Sequence, residues 1–475
     1  MENKCEHCTL FASKRTELLN SCETVFEAAS KLKDLIGETQ DLPAPPSLES
    51  VELAPPFPDK NYNIMDHKPS SPEDVKVTVY AISASEPDAF IDRWLHSMSG
   101  ADHIVVLVTK VNDPNYDTFL KYTEQPEFKD KLIVAQKDIK PWRFDVARNE
   151  SLALIPLNKT DVCVCTDIDE ILISDFFPDF RRTVWEHWGS PRYNYRFAWS
   201  HDDNGDPKIV FWYDKAHHPR GYYWKFPVHE ALTCDSLPDY HYSDTAASLD
   251  ANKIYLRHFP DQTKSRSSYL PLLEMRTRLF PDDNIGKYYL VREYSFHSRT
   301  ADVFAAGIPL FNTFASNPKT DDWHMMPALC GLLGSCFDYG PTRDIAQAFF
   351  KHGLKADPKT RTLYIKLAAS LVYSGKPNAA LEVLDLMEKN SVFVEDWRFS
   401  PVDWRDFRKL QIKANAFSWK RDYDTAYTIF QQAEKDIKTE DDRRDASSFG
   451  FFDDMEFART RSSFNNDTKK ETPTE

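Results

Sequence analysis

Apolar residues at helical spacing open the chain. Phe11, Leu18, Cys22, Val25, Ala29, Leu32 and Ile36 fall at steps of seven, four and three, and Gly37 can end the run. They predict an amphipathic helix within residues 1–40. Its stripe could form a short coiled-coil seam and so join two copies of the chain, although such stripes more often pack on their own protein. Prolines then crowd at 43, 45, 46, 55, 56, 58, 69 and 72, so residues 41–75 read as an extended linker or strap. Thereafter short apolar runs alternate with helical patterns. Residues 75–82 read as a buried strand, 89–97 as a helix, 103–109 and 132–136 as strands, 144–155 as a helix and 162–165 as another buried strand. The alternation predicts parallel βαβ units covered on both faces, with ligands at the carboxyl ends of the strands.

Beyond about residue 262 the strand signal stops. Segments 267–279, 299–311, 343–354, 360–374, 377–389, 403–417 and 423–435 carry helical periodicity. Asp344-Ile-Ala346 through Ala356-Asp-Pro358 resembles the second helix and exit of a tetratricopeptide repeat, Ala380 follows Ala346 by 34 residues, and Asp422-Tyr-Asp-Thr-Ala426 repeats the theme more loosely. The predicted organisation is an N-terminal helix (1–40), a linker (41–75), an α/β domain (76–262), an all-α helical-repeat domain (263–460) and a disordered polar tail (461–475).

Composition narrows the classes. At 475 residues, with 41% hydrophobic and 28% charged residues, the chain is globular and long enough for two or three cores. Only 13 glycines are present, and neither G-x-G-x-x-G nor G-x-x-x-x-G-K-[ST] occurs, so nucleotide phosphates would have to be neutralised by other means. The net charge of −15 argues against a duplex-binding face. No apolar run approaches the ~18 residues of a membrane span, and the polar start lacks a signal segment, so a cytoplasmic location is expected. The 8 cysteines are scattered without a disulfide pattern. Cys5-Glu-His-Cys8, with Cys22 further on, could hold zinc but lacks a second ligand pair.

Asp167-Ile168-Asp169-Glu170 carries the clearest chemistry, directly after the strand at 162–165. In extended chain Asp167 and Asp169 would project to one side and Ile168 to the other. Two such carboxylates repel unless they share a cation, and Mg²⁺ or Mn²⁺ suits hard oxygen ligands and a diphosphate leaving group. Upstream, Asp145 and Arg148 stand at i and i+3 of one helix and could pair at the nucleotide edge of a site. Downstream, His229-Glu230 follows an aromatic run from Tyr222 to Trp224, where burial would raise the carboxyl toward a useful general base. His258 ends a short strand and could complete a metal shell, with His229 as the alternative ligand, while Lys264 and Arg266 could hold a diphosphate. Each also has an ordinary structural reading, as a surface ion pair or a core histidine.

Taken together these residues resemble the family-two glycosyltransferases with a GT-A fold. The resemblance rests on Ala81-Ile82-Ser83, Trp142-Arg-Phe-Asp-Val-Ala-Arg-Asn-Glu-Ser-Leu152, Asp167-Ile-Asp-Glu170 and Pro227-Val-His-Glu230. Lys264-Ser-Arg-Ser-Ser-Tyr-Leu-Pro-Leu-Leu273, Pro281-Asp-Asp and Tyr288-Tyr-Leu-Val-Arg-Glu293 are similar to the junction in bacterial and phage members that append tetratricopeptide-like helices. It spans about residues 76–437. It implies a GT-A domain followed by a TPR-like domain, and inverting transfer from a nucleotide-sugar, commonly a UDP-sugar such as UDP-glucose or UDP-GlcNAc. Asp169 would bind Mn²⁺ or Mg²⁺, Asp167 the ribose or a metal-bound water, and Glu230 would deprotonate the acceptor. Ile82, Glu86, Asp113, Asp145 and Arg148 would line the nucleotide-sugar. Val108 stands where the family usually carries a uracil-reading aspartate, which leaves Asp113 and Glu86 to take over that work. The acceptor could be a protein, a glycan, a lipid-linked sugar or a modified base. Two other readings stand beside this one: a non-catalytic helical-repeat scaffold with a decayed sugar-nucleotide domain, and a nucleotidyltransferase using the same metal-diphosphate chemistry.

Overall fold

The computed structural model describes residues 67–201, 205–234, 246–261, 269–317, 324–391 and 406–463. The N-terminal helix, most of the Pro-rich linker, Cys5, Cys8, Lys264, Arg266 and the end of the tail lie outside the described residues. What is described divides into two compact units, ending and beginning at 280 and 281.

The first unit is mixed α/β. Its elements run β1 (Val77–Ser83), α1 (Asp88–Ser97), β2 (His103–Val108), α2 (Asn115–Thr123), β3 (Leu132–Gln136), α3 (Phe144–Ala153), β4 (Val162–Cys165), β5 (Glu170–Leu172) and α4 (Phe176–Glu186). A long hairpin β6 (Arg192–His201) and β7 (Pro207–His217) follows, then β8 (Tyr222–Lys225), β9 (Ala231–Cys234), β10 (Ala247–Ser248), β11 (Leu256–His258) and α5 (Tyr269–Leu279). The main sheet has the order β3-β2-β1-β4-β7-β6-β11-β5, with β10 beside β6, and β8 and β9 form a separate ribbon. Strands β3, β2, β1 and β4 are parallel as the alternating pattern predicts. Beyond β4 the sheet is mixed: β7 pairs antiparallel with β4 and with β6, whereas β11 and β10 run parallel to β6. β6 ends at His201 and β7 begins at Pro207, which leaves too little chain for the crossover a parallel pair needs, so the two pair antiparallel.

Strand β4 shows why the parallel segment is fixed. Val162 and Val164 enter the larger apolar core, while Cys163 and Cys165 face a second core with Tyr80, Leu152, Tyr222 and Trp224. Alternation that is apolar on both faces leaves β4 no solvent side, so it lies in the middle of the sheet.

The unit extends further than residue 262, where the loss of strand signal suggested a boundary. Arg276 of α5 is buried and donates to the carbonyls of Val228 and His229, at 3.0 and 2.7 Å, and Phe280 packs edge-on to Phe226. Helix α5 therefore belongs to the sheet unit.

The second unit is helical: α6 (Asn284–Phe296), α7 (Thr300–Ser316), α8 (Met326–Phe337), α9 (Arg343–Ala356), α10 (Arg361–Tyr373), α11 (Pro377–Asn390), α12 (Asp406–Trp419), α13 (Tyr423–Glu434), α14 (Glu440–Ser448) and α15 (Phe451–Arg461). Helices α8 and α9, α10 and α11, and α12 and α13 pack as consecutive pairs. Ala346, Ala380 and Ala426 are each the fourth residue of the second helix of a pair, and all are fully buried. A small side chain there lets the two backbones approach. Close approach recurs at Gly334, where an added Cβ would lie 2.3 Å from the Phe350 ring.

Candidate active site

Strand β4 delivers Thr166 to the carboxyl edge of the sheet, and the chain then turns. Glu170 N–H bonds to Asp167 C=O at 3.0 Å, and the Glu170 carboxylate accepts the Asp167 N–H at 2.9 Å. The acidic motif is thus a reverse turn and not an extension of the strand. Ile168 enters the core as alternation predicts. The two aspartates acquire different protein surroundings.

Asp167 is met by two protein cations. Arg148 Nη2 donates to it at 2.7 Å and Lys215 Nζ at 3.1 Å. Burial alone would raise the Asp167 carboxyl, but the two cations hold it well below the usual carboxylate range. Glu170, buried behind the turn and 3.9 Å from Lys215, is pushed upward by burial and by the neighbouring Asp167. For Lys215 burial works against the charge, and Asp167 and Glu170 outweigh it, so the ammonium is held.

Arg148 is aimed by its helix. Asn149 of α3 pairs with both backbone groups of Trp224, each at 2.7 Å, and Ser151 Oγ donates to Ala81 C=O at 2.9 Å. These bonds clamp α3 over β1 and β8. Arg148 then reaches Asp167, the Cys165 sulfur at 3.1 Å and the Glu230 carboxylate, with the Trp224 ring 5.2 Å from the guanidinium carbon. The expected Asp145–Arg148 pair does not form. Asp145 is buried against Arg143, at 3.0 and 2.5 Å, so it braces the start of α3. Burial raises the Asp145 carboxyl in spite of that partner.

Glu230 faces Arg148 and not a wholly aromatic wall, which corrects the environment expected for it. His229, with its backbone in the left-handed region at φ 48°, sets its ring edge-on to Tyr269. His258 is the histidine at the acidic turn. Its Nε2 lies 3.2 Å from Asp169 Oδ2, and its Nδ1 bonds the Trp199 carbonyl at 3.1 Å. Burial opposes the imidazolium, but the bond to Asp169 and its charge raise the His258 pKa. Strand pairing fixes the geometry, because His258 of β11 sits opposite Glu170 of β5 and Phe259 N–H bonds Asp169 C=O at 2.8 Å.

Asp113 and Glu86 sit in the loops after β2 and β1, on the same edge of the sheet. Both Asp113 oxygens are used within those loops: Oδ2 accepts from Ser85 N–H and Oγ, each at 2.9 Å, and Oδ1 accepts from Asn115 N–H at 3.0 Å. Asn115 in turn pairs with the Glu86 backbone at 2.5 and 2.8 Å. Asp113 therefore staples the loop that carries Glu86. Ile82 lies near the end of β1, half-buried.

Among the described residues no group of three or more His, Cys, Asp or Glu side chains is arranged to hold a metal ion. Asp169 and His258 nevertheless make a chemically suitable pair. With its Nδ1–H donating to the Trp199 carbonyl, the neutral ring presents the Nε2 lone pair, the ligating form, beside the Asp169 carboxylate. Mn²⁺ or Mg²⁺ fits such a set, since either commonly completes its shell with water and phosphate oxygens. Residues the sequence reading did not single out are Lys215 and Arg93. A lysine between Tyr213 and Ala216 in a strand otherwise rich in aromatics was the available signal for the first.

No family model matches the chain, and no curated protein matches it. Among solved structures the chain is similar to MamA 41-end from Desulfovibrio magneticus RS-1, at 15% identity over 40% of this chain and 98% of that one, with a TM-score of 0.26. A likeness at that level carries nothing about this chain's chemistry.

Proposed function

We propose that the chain is a metal-dependent inverting glycosyltransferase, with a GT-A-type sheet unit and a TPR-like helical unit that binds or presents the acceptor. The observation that carries this reading is the acidic turn after β4, in which Asp167 is neutralised by Arg148 and Lys215 while Asp169 pairs with His258. Asp169 and His258 would hold Mn²⁺ or Mg²⁺, whose chemistry there would be to offset the charge that grows on a departing diphosphate. Arg148 bridges Asp167 and Glu230, so one guanidinium sets the donor side and the acceptor side of the site in register. The acceptor hydroxyl gives its proton to a Glu230 oxygen as its own oxygen bonds the anomeric carbon. The bond from that carbon to the diphosphate breaks, and the nucleoside diphosphate leaves with the electron pair. In the helical unit, the recurrence of a buried alanine at the fourth position of α9, α11 and α13 supports a repeat array.

A scaffold reading is favoured by one feature. Val108 replaces the expected base-reading aspartate, and the Asp113 oxygens are engaged by Ser85 and Asn115. A panel of UDP-, GDP- and dTDP-sugars with and without Mn²⁺, with Asp169→Asn as control, separates the two. The transferase predicts slow metal-dependent release of one nucleotide, lost in the variant. No release together with no nucleotide binding would leave the scaffold.

A further inference from the structure

Helix α1 carries a cation whose bonding is incomplete. Its inner face is Ile91, Trp94 and Leu95, and Trp94 Nε1 donates to Thr166 Oγ1 at 3.0 Å. That bond fixes α1 to the residue before the acidic turn. Arg93, half-buried beside this face, has its guanidinium carbon 4.7 Å from the centre of the Phe90 ring and 5.0 Å from that of Phe259. Phe259 is itself held, by its N–H bond to Asp169 C=O and by flat stacking on His201 with ring centres 4.7 Å apart.

Arg93 Nε and Nη2 are buried and have no hydrogen-bond partner among the described residues. These two nitrogens form one edge of the guanidinium, the edge that binds two oxygens of a phosphate or carboxylate side by side. Asp169 attracts Arg93 through space, but its Oδ2 is directed to His258. Burial works against the Arg93 charge and lowers its pKa, with Asp169 partly restoring it, and arginine stays protonated nonetheless. Buried donors without acceptors are unfavourable and are uncommon in folded chains, so an edge of this kind beside a chemically equipped turn points to a ligand that brings the acceptors. The other cations of the turn differ: Arg148 and Lys215 are already bonded to Asp167.

We infer that Arg93 is the anion receptor of the site and takes diphosphate oxygens of the donor. This rests on the nucleotide-sugar reading given above. Arg93 stays bonded to the diphosphate as it departs, adding to whatever a metal supplies.

Titration calorimetry on the full chain tests it, with UDP, GDP, uridine and inorganic diphosphate as probes, each with Mn²⁺ and with chelator. Arg93→Gln should weaken the bound nucleotide diphosphate and inorganic diphosphate by about tenfold to a hundredfold, in both metal conditions, the size of a lost charge-assisted pair. Uridine, which has no phosphate, should bind both proteins alike. Arg93→Lys keeps the charge but not the paired edge and should fall between them, and an unchanged melting temperature would show that it is folded. Equal diphosphate affinity in wild type and Arg93→Gln would overturn the assignment and leave the nucleotide-sugar reading standing. Losses that are the same for uridine and UDP would make Arg93 a packing residue. A wild-type protein that binds none of the phosphorylated probes would overturn both.

Discussion

The two units of the chain bury different chemistry. In the sheet unit Arg143, Asp145, Arg148 and Glu170 are all at most 4% exposed and cluster around the first turn of α3 and the turn after β4. In the helical unit buried charge is scattered, with Glu293, Arg361 and Arg408 on three different helices, and the paired helices meet instead at small or aromatic positions such as Ala346, Ala380, Ala426, Phe350 and Phe430. Burying a charge is tolerable only when partners satisfy it, and each partner then becomes indispensable to the others. Burying an alanine asks only for shape. The helical unit thus uses small side chains to set the spacing of its paired helices, whereas the sheet unit concentrates paired buried charge around the acidic turn, where polar features most often serve binding and chemistry.

Three substitutions probe that contrast. The largest effect is expected from Glu230→Gln, which keeps the shape but removes the base: turnover should drop about a hundredfold to ten-thousandfold with nucleotide-sugar binding retained. Steady-state transfer and donor titration measure the two separately, and weakened binding with transfer intact would make Glu230 a donor contact. Next is Lys215→Met. It leaves Asp167 and Glu170 with one cation fewer in a buried setting, and urea unfolding should register a loss of about 3–5 kcal/mol. A loss below about 1 kcal/mol would mean that the buried cluster is not interdependent and the comparison drawn above fails. In the helical unit Gly334→Ala brings a Cβ to 2.3 Å from the buried Phe350 ring, and overpacking there should cost about 1–3 kcal/mol with no change in nucleotide binding.

Much of the parallel half of the sheet was legible in the sequence. β3 and β4 run over the residues their apolar patterns predict; β4 does so because a strand buried on both faces leaves an unbroken apolar signal. Asp167, Asp169, Arg148, Glu230 and His258 were also legible as candidates, and all five are bonded in two groups: Arg148 with Asp167 and Glu230, and His258 with Asp169. What the sequence did not show was how partners are shared. Arg148 and Glu230 are 82 positions apart, and no local spacing announces their pairing. Treating 167–169 as extended put both aspartates on one side, but the turn closed by Glu170 N–H separates their neighbours. The β6–β7 hairpin mixes Arg192, Arg196, Asp214 and Lys215 into an aromatic run, which blurs period-two alternation and hid Lys215 with it.

The smallest effect tests whether charge also holds the sheet unit away from the site. Asp102 accepts Val77 N–H at 2.9 Å and Arg181 Nη2 at 2.7 Å, and Arg181 also reaches the Val75 and Gly100 carbonyls, which ties the start of β1 to α4. Burial would raise the Asp102 carboxyl, but the Val77 N–H and Arg181 together lower it. A carboxyl with a depressed folded-state pKa stabilises fully above its unfolded value near ~3.9, and that contribution disappears as pH falls through the folded value. Asp102→Asn, which keeps one acceptor but no charge, should therefore be about 1 kcal/mol less stable than wild type at neutral pH. The gap should close as pH falls below about 4. Melting curves of both proteins between pH 3 and pH 7 would show it. A gap of the same size at both ends would mean that shape and hydrogen bonding, not charge, fix β1 to α4. Charge would then matter at the acidic turn but not at the start of β1.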